Sequence, residues 1–217
     1  MKTYAIFDLD GTLLNTIEDL GNAVNYALNQ MGFPTHVITA YPNMVGNGVR
    51  KLIERALPAG EAYPQIVDRM LVHFKKHYDE HCCDTTLPYP GIPELLKKLS
   101  DNGVHLAVTS NKYQSAVKRI IEHFFPEANW KAVLGNVAGV PRKPDPSIVF
   151  EALNMCPTPK ADTLYIGDSG VDMETARRAC VESVGVTWGF RPISELKAAY
   201  ADHIVSNPDD ILTIILD

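Results

Sequence analysis

Six short apolar runs without polar alternation constrain this chain more than any other feature. They are Tyr4-Ala5-Ile6-Phe7, Leu106-Ala107-Val108-Thr109, Ala132-Val133-Leu134, Thr163-Leu164-Tyr165-Ile166, Val184-Gly185-Val186 and His203-Ile204-Val205. A strand with one wet face alternates apolar and polar residues, whereas a strand covered on both faces does not. Helical patterns lie between most of the runs. One spans Pro93 to Asn102, with Pro93 suited to a first helical turn and Gly103 to a stop. Ser115 to Phe125 and Asp172 to Cys180 are others. Strand–helix alternation predicts an α/β fold built on a doubly wound parallel sheet, a Rossmann-like core.

Residues 16–83 break that rhythm. Thr16 can cap a helix, with Asp19 three residues later completing a capping-box-like pattern. Ile17, Leu20, Val24, Ala27, Leu28 and Met31 follow at helical spacing, and Gly32 ends the run. Val49, Leu52, Ile53, Ala56 and Leu57 make a second apolar stripe, and Val67, Met70, Leu71 and Phe74 a third. A small helical cap is therefore expected after the first strand, over residues 15–89. Residues 1–14 and 90–217 then form the core. Two connections, near Leu14 and near Pro88, would make a hinge, which suits a lid.

A length of 217 residues fits one large domain or a main domain with a small accessory one. The formal net charge of -6 argues against nucleic acid and against an anionic membrane surface as partners. No stretch approaches the roughly 20 apolar residues that cross a bilayer. No signal peptide is read before Asp8 and Asp10. Cys82, Cys83, Cys156 and Cys180 have the spacing neither of a zinc site nor of a disulfide framework, and read as reduced thiols in a cytoplasmic protein. His81 beside Cys82 and Cys83 reads as a helix end with incidental residues.

Four short segments carry the candidate chemistry. Asp8-Leu9-Asp10-Gly11-Thr12 follows the first strand, and ligands of open α/β sheets bind beyond the carboxyl ends of strands. Gly11 lets the backbone turn, so Asp8 and Asp10 can face one site rather than opposite faces of a strand. Ser110-Asn111 follows the second strand; its hydroxyl and the amides of the next helix start can hold phosphate oxygens, although Ser110 alone reads as a helix cap. Lys143 sits in a loop stiffened by Pro144 and Pro146, with a helix expected near Ser147. Alone it reads as a solvated charge. Gly167-Asp168-Ser169-Gly170-Val171-Asp172 brings two more carboxylates to a strand end. Four acids cannot share a pocket unless a cation neutralises them or their pKa values rise. Oxygen-only ligands favour magnesium over zinc.

Taken together, these motifs resemble the haloacid dehalogenase superfamily and, within it, the phosphoglycolate phosphatase-like group. The resemblance covers essentially the whole chain. It rests on Asp8-Leu9-Asp10-Gly11-Thr12-Leu13, Ser110-Asn111-Lys112, Lys143-Pro144-Asp145-Pro146 and Gly167-Asp168-Ser169 with Asp172. Val45-Gly46-Asn47-Gly48 and Tyr89-Pro90-Gly91 extend it. Asn15 departs from the pattern, because relatives commonly carry an aspartate there. The resemblance implies a magnesium-dependent phosphatase acting on a small phosphorylated metabolite, as a monomer or homodimer. Asp8 would be the nucleophile and Asp10 the general acid and base. Ser110 and Lys143 would hold the phosphoryl oxygens, with Gly11, Thr12 and Asn111 nearby. Mg2+ would be held by Asp8, the Asp10 carbonyl and Asp168, with Asp172 in support.

The expected substrate is 2-phosphoglycolate. A sugar phosphatase, a phosphomutase of the β-phosphoglucomutase type, a nucleotidase and a pyrophosphatase share the motifs, while a non-catalytic binding module would not need the full catalytic set. In the cap, Asn47, Arg50 and Lys51 are candidates to read a substrate carboxylate. The other reading makes Arg50 and Lys51 the solvated face of their helix.

Overall fold

In the structure, a computed structural model that describes residues 1–217, each of the six apolar runs lies in a strand. The strands are β1 (Tyr4–Phe7), β2 (His105–Tyr113), β3 (Trp130–Asn136), β4 (Thr163–Gly167), β5 (Glu182–Val186) and β6 (His203–Val205). They form one parallel sheet in the order β3-β2-β1-β4-β5-β6. Each parallel pair demands a crossover, and helices supply them. The helices of this unit are α4 (Ile92–Asp101), α5 (Gln114–Phe124), α6 (Ser147–Met155), α7 (Gly170–Ala179), α8 (Ile193–Ala198) and α9 (Pro208–Leu216). Flanking helices and a parallel sheet make this the Rossmann-like α/β architecture.

The central strand explains the apolar runs. Tyr4, Ala5, Ile6 and Phe7 are all fully buried. Tyr4 and Ile6 join a core cluster with Ala107, Tyr165, Val149 and Ala176. The Tyr4 hydroxyl donates to the Ala152 carbonyl at 3.1 Å, so the polar tip is satisfied inside the core. Burying one such side chain stabilises the fold by roughly 1.5–3 kcal/mol. The strand order reverses between β1 and β4, where successive crossovers diverge and open a crevice at the carboxyl ends. Asp8 and Asp168 are the residues that follow those two ends.

One local expectation changes. Extended backbone continues through Ser110 and Asn111 to Tyr113, with a shift of register between Thr109 and Tyr113, and α5 starts only at Gln114. Ser110 therefore does not cap a helix. Its hydroxyl accepts from the Lys112 backbone N–H at 3.1 Å. Sequence pattern placed the strand end where apolar residues stop, but the backbone ladder is indifferent to that boundary.

Residues Thr16–Leu87 form a second unit, distinct from Met1–Asn15 with Pro88–Asp217. It holds α1 (Ile17–Gln30), α2 (Val49–Ala56) and α3 (Pro64–His81). Leu20, Val24, Ala27 and Leu28 of α1, Leu52, Ile53 and Ala56 of α2, and Val67, Met70 and Phe74 of α3 are buried. Tyr78 extends the α3 stripe, while Leu71 lies at its margin.

The expected capping box does not form. Thr16 makes no side-chain cap bond to α1. Asp19 instead turns its carboxylate to Thr85 and Thr86. It accepts from the Thr85 N–H at 3.0 Å and hydroxyl at 2.6 Å, and from the Thr86 N–H at 2.9 Å and hydroxyl at 2.7 Å. A buried carboxylate gains more from four such donors than from one frayed helix end. Asp19→Ala would leave the buried Thr86 donors unpaired, at about 1–3 kcal/mol for an unsatisfied group. Urea unfolding should therefore give a midpoint well below wild type; an unchanged midpoint would show the clamp to be idle.

Candidate active site

The site is assembled around the Lys143 ammonium. Lys143 is 4% exposed and its Nζ lies 2.7 Å from Asp8 Oδ1 and 2.7 Å from Asp172 Oδ1. It also donates to the Thr109 carbonyl at 3.2 Å and the Tyr165 hydroxyl at 3.1 Å. Tyr165 in turn shares a hydrogen bond with the Thr109 hydroxyl at 2.9 Å. A lysine this deep needs such partners, because an unpaired buried ammonium would shed its proton. Asp172 and Asp8 instead hold the ammonium well above its ordinary pKa against the opposing effect of burial.

The loop that delivers Lys143 is fastened to β2. Asn111 donates to the Lys143 carbonyl at 3.1 Å and accepts from the Lys143 backbone N–H at 2.9 Å. Both ends of its amide are thus engaged, and Asn111 acts on the site through Lys143. Downstream, the Asp145 carboxylate accepts from the Ser147 N–H at 2.9 Å, where α6 begins.

Asp172 is also spoken for on both oxygens. While Oδ1 takes Lys143, Oδ2 accepts from the Ser169 N–H at 3.1 Å and hydroxyl at 2.5 Å. This closes a capping box at the start of α7. Asp168 is held differently, by the Phe190 backbone N–H on Oδ2 at 2.7 Å. Gly11 and Gly189 make room for it. Gly11 adopts φ +87, and a Cβ at either glycine would overlap the Asp168 side chain. Gly11 thus serves close packing against Asp168 as well as the turn after β1.

Asp8, Asp168 and Asp172 place carboxylate oxygens within 4.8 Å of one another, all buried. Three carboxylates face one ammonium, so negative charge exceeds positive charge. Burial first, and then the Asp172 carboxylate, push the Asp8 acid up to about 7, against the lowering pull of Lys143. Burial and the Asp172 and Asp8 carboxylates likewise raise Asp168 well above the ordinary carboxylate range. An all-oxygen donor set with surplus negative charge fits a hard divalent cation. Thr12 adds an unmet demand: it is fully buried and its hydroxyl has no hydrogen-bond partner. Its carbonyl accepts from the Trp188 indole N–H at 3.0 Å.

Asp10 stands apart from that cluster. Its Oδ1 lies 3.0 Å from Nζ of Lys112, whose side chain is almost wholly buried. The two acids of the Asp-x-Asp motif therefore have different cationic partners. Lys112, Tyr165 and the Gly189–Phe190 turn carry no role in the sequence reading. Lys112 was visible next to Ser110-Asn111, but nothing in the sequence distinguishes a buried lysine from a solvated one. Tyr165 reads there only as one residue of an apolar strand.

The cap residues lie in the helical unit and form their own network. Arg50 pairs with Asp68, and Lys51 pairs with Glu54 at 2.6 Å. Asn47, at φ 62, accepts from the Arg55 guanidinium at 3.0 Å. The same guanidinium donates to the Met44 carbonyl at 2.8 Å and the Gly46 carbonyl at 3.1 Å. Arg55, which the sequence reading passes over, is thus what fastens the Gly46-Asn47-Gly48 turn.

Fold and site define a class: an α/β protein with a buried acid cluster beyond the switch point of a parallel sheet. Residues 5–186 match the haloacid dehalogenase-like hydrolase family, and the chain belongs to it. It is 29% identical over 212 residues to the phosphoglycolate phosphatase of Aquifex aeolicus (strain VF5), covering 97% of this chain and 95% of that one. It is 34% identical over 198 residues to the phosphoglycolate phosphatase of Psychrobacter arcticus, covering 87% of this chain and 85% of that one. A crystal structure from Lactobacillus delbrueckii subsp. bulgaricus superposes with a TM-score of 0.92 at 34% identity, covering 99% of both chains. Within the family the protein is a phosphatase.

The raised acids make stability depend on pH in a definite sense. A carboxyl that binds its proton more tightly when folded stabilises the fold most below its unfolded pKa of about 4, and that gain is lost as pH rises through the folded value. In chelator, the melting temperature should fall as pH rises from about 4 to about 7, the range set by Asp8. Adding Mg2+ at pH 7 should restore it, and at pH 4 should do little, because protons then occupy the oxygens. A Mg2+ effect equal at both pH values would remove the acid cluster as the binding site.

Proposed function

We propose that this phosphatase hydrolyses 2-phosphoglycolate in two displacements through an aspartyl-phosphate on Asp8, with Mg2+ as its cation. The observation that carries this reading is the division between the two acids. Asp8 is buried and ion-paired to Lys143, while Asp10, two residues on, pairs with Lys112. One carboxylate is held against the Lys143 ammonium as the nucleophile, and a separate one is available for proton transfer. The substrate assignment is supported by the relatives named phosphoglycolate phosphatase at 29–34% identity.

In the first displacement an Asp8 oxygen attacks phosphorus and the bond to the ester oxygen breaks. Asp10 gives its proton to the departing oxygen, which requires Asp10 to be protonated and released from Lys112 in the substrate complex. In the second, water attacks phosphorus, Asp10 takes the proton, and the Asp8–phosphorus bond breaks to free phosphate and regenerate the carboxylate. Lys143 neutralises Asp8 in the resting site and offers the phosphoryl group a fixed positive charge. Ser110 supplies a hydroxyl at the end of the apolar part of β2. Asp8, Asp168 and the Asp10 carbonyl would hold the cation, which when bound offsets the charge of phosphate and carboxylate. Asp172, with both oxygens engaged, positions Lys143. The unit Thr16–Leu87 is the cap that selects substrate in this reading, and the reaction belongs to the cytoplasm, in keeping with four free thiols.

Three measurements test the reading. Asp8→Asn should abolish the covalent intermediate and lower kcat by at least about 100-fold, with folding intact; faster turnover would sink the nucleophile assignment. Asp10→Asn should harm an alkyl phosphate far more than an aryl phosphate, whose leaving group needs little protonation. Equal losses would contradict the acid role. In a panel of metabolite phosphates, 2-phosphoglycolate should have the highest kcat/KM, and a sugar phosphate ranking first would overturn the substrate.

A further inference from the structure

Helix α3 carries His73, His77 and His81 at successive four-residue intervals. Residues so spaced share one face of a helix, one turn apart. Only the last pair is brought ring to ring: the His77 and His81 centroids are 4.4 Å apart, with planes inclined by 33°. Neither residue has a part in the phosphoryl chemistry.

The surroundings of the two imidazoles suit ligation. His81 Nδ1 lies 2.7 Å from Asp84 Oδ2. A carboxylate accepts, so Nδ1 carries the proton of this contact and Nε2 is the nitrogen left to face a ligand. This is the arrangement by which an outer carboxylate orients a metal-binding histidine and raises its basicity. His77 is steadied from its other side by Tyr26, whose ring centroid is 4.6 Å away, and its Nδ1 is buried without a hydrogen-bond partner. Burial, and then His81, hold His77 below the ordinary histidine pKa, which keeps it in the neutral form that ligates. Asp84 and Glu80 add negative charge around the pair.

We propose that His77 and His81 form a two-histidine site for a borderline transition-metal ion such as Zn2+, with Asp84 as the outer partner of His81. Modest side-chain rotation would bring one nitrogen of each ring to about 2.0–2.1 Å from a common ion. Water completes the shell. Nitrogen donors separate this site from the Asp8, Asp168 and Asp172 oxygens, which suit a hard cation. The competing soft ligands are Cys82 and Cys83, whose sulfurs are 3.7 Å apart just beyond the helix end.

The test is calorimetric titration of Zn2+ into the full chain in a large excess of Mg2+, with a phosphine reductant present. One Zn2+ should bind per chain despite the Mg2+. His77→Ala and His81→Ala should each weaken it at least 10-fold, and Asp84→Asn by about 10-fold, the scale of a lost outer partner. His73→Ala and the double variant Cys82→Ser with Cys83→Ser should bind as wild type does. In wild type, Zn2+ should shift the imidazole NMR signals of His77 and His81 and leave those of His36 and His105 in place, a readout that needs no variant to fold. Absence of Mg2+-resistant binding, unmoved His77 and His81 signals, or loss of binding in the double-serine variant would each overturn the proposal.

Discussion

Lys143 and the two carboxylates it joins are the contact on which the active centre depends. A single ammonium, nearly sealed from water, holds Asp8 just after β1 and Asp172 from α7. It thereby ties together three separate chain segments at the reversal point of the sheet. Removing water from these charges is costly, and only close pairing with further hydrogen bonds offsets that cost. Every one of those bonds is present: the Thr109 carbonyl, the Tyr165 hydroxyl, and the Ser169 capping box that fixes Asp172.

The same contact leaves the site deliberately unbalanced. One ammonium cannot neutralise Asp8, Asp168 and Asp172 together, and burial pushes Asp8 and Asp168 toward their protonated forms. This surplus of negative charge favours whatever brings positive charge. Gly11 and Gly189 press against Asp168, leaving no room for any other residue there. Destabilisation by charge is thus concentrated where a bound cation would relieve it, which is how functional sites commonly differ from the rest of a fold.

The helical unit follows other priorities. Its buried carboxylate, Asp19, is spent on anchoring Thr85 and Thr86, near the place where the chain returns to the core. Its cations are paired locally: Arg50 with Asp68, Lys51 with Glu54, and Arg55 with the Gly46-Asn47 turn. Arg55 illustrates why charge spacing alone misleads. Three cations within six residues look alike as letters, and only the backbone path decides which one meets carbonyl oxygens and which meets a carboxylate.

The parallel sheet and the helical insertion were legible in the sequence because burial on both faces removes polar alternation, a one-dimensional signal. The strand-end placement of Asp8 and Asp168 followed from the same signal, since those residues come where the apolar runs stop. What the sequence could not supply was pairing. The extension of β2 past Ser110, the diversion of Asp19 from a helix cap to Thr85 and Thr86, and the engagement of Asn111 with Lys143 all depend on backbone from distant positions. Lys112 and Tyr165 entered the site for the same reason: a lysine or tyrosine becomes a site residue only through what lies opposite it. Periodicity is a property of neighbours in the chain, and it fixed the elements. Ion pairs, hydrogen bonds and close glycine contacts join residues distant in the chain, as Trp188 and Thr12 are at 176 positions apart, and only the tertiary structure decided them.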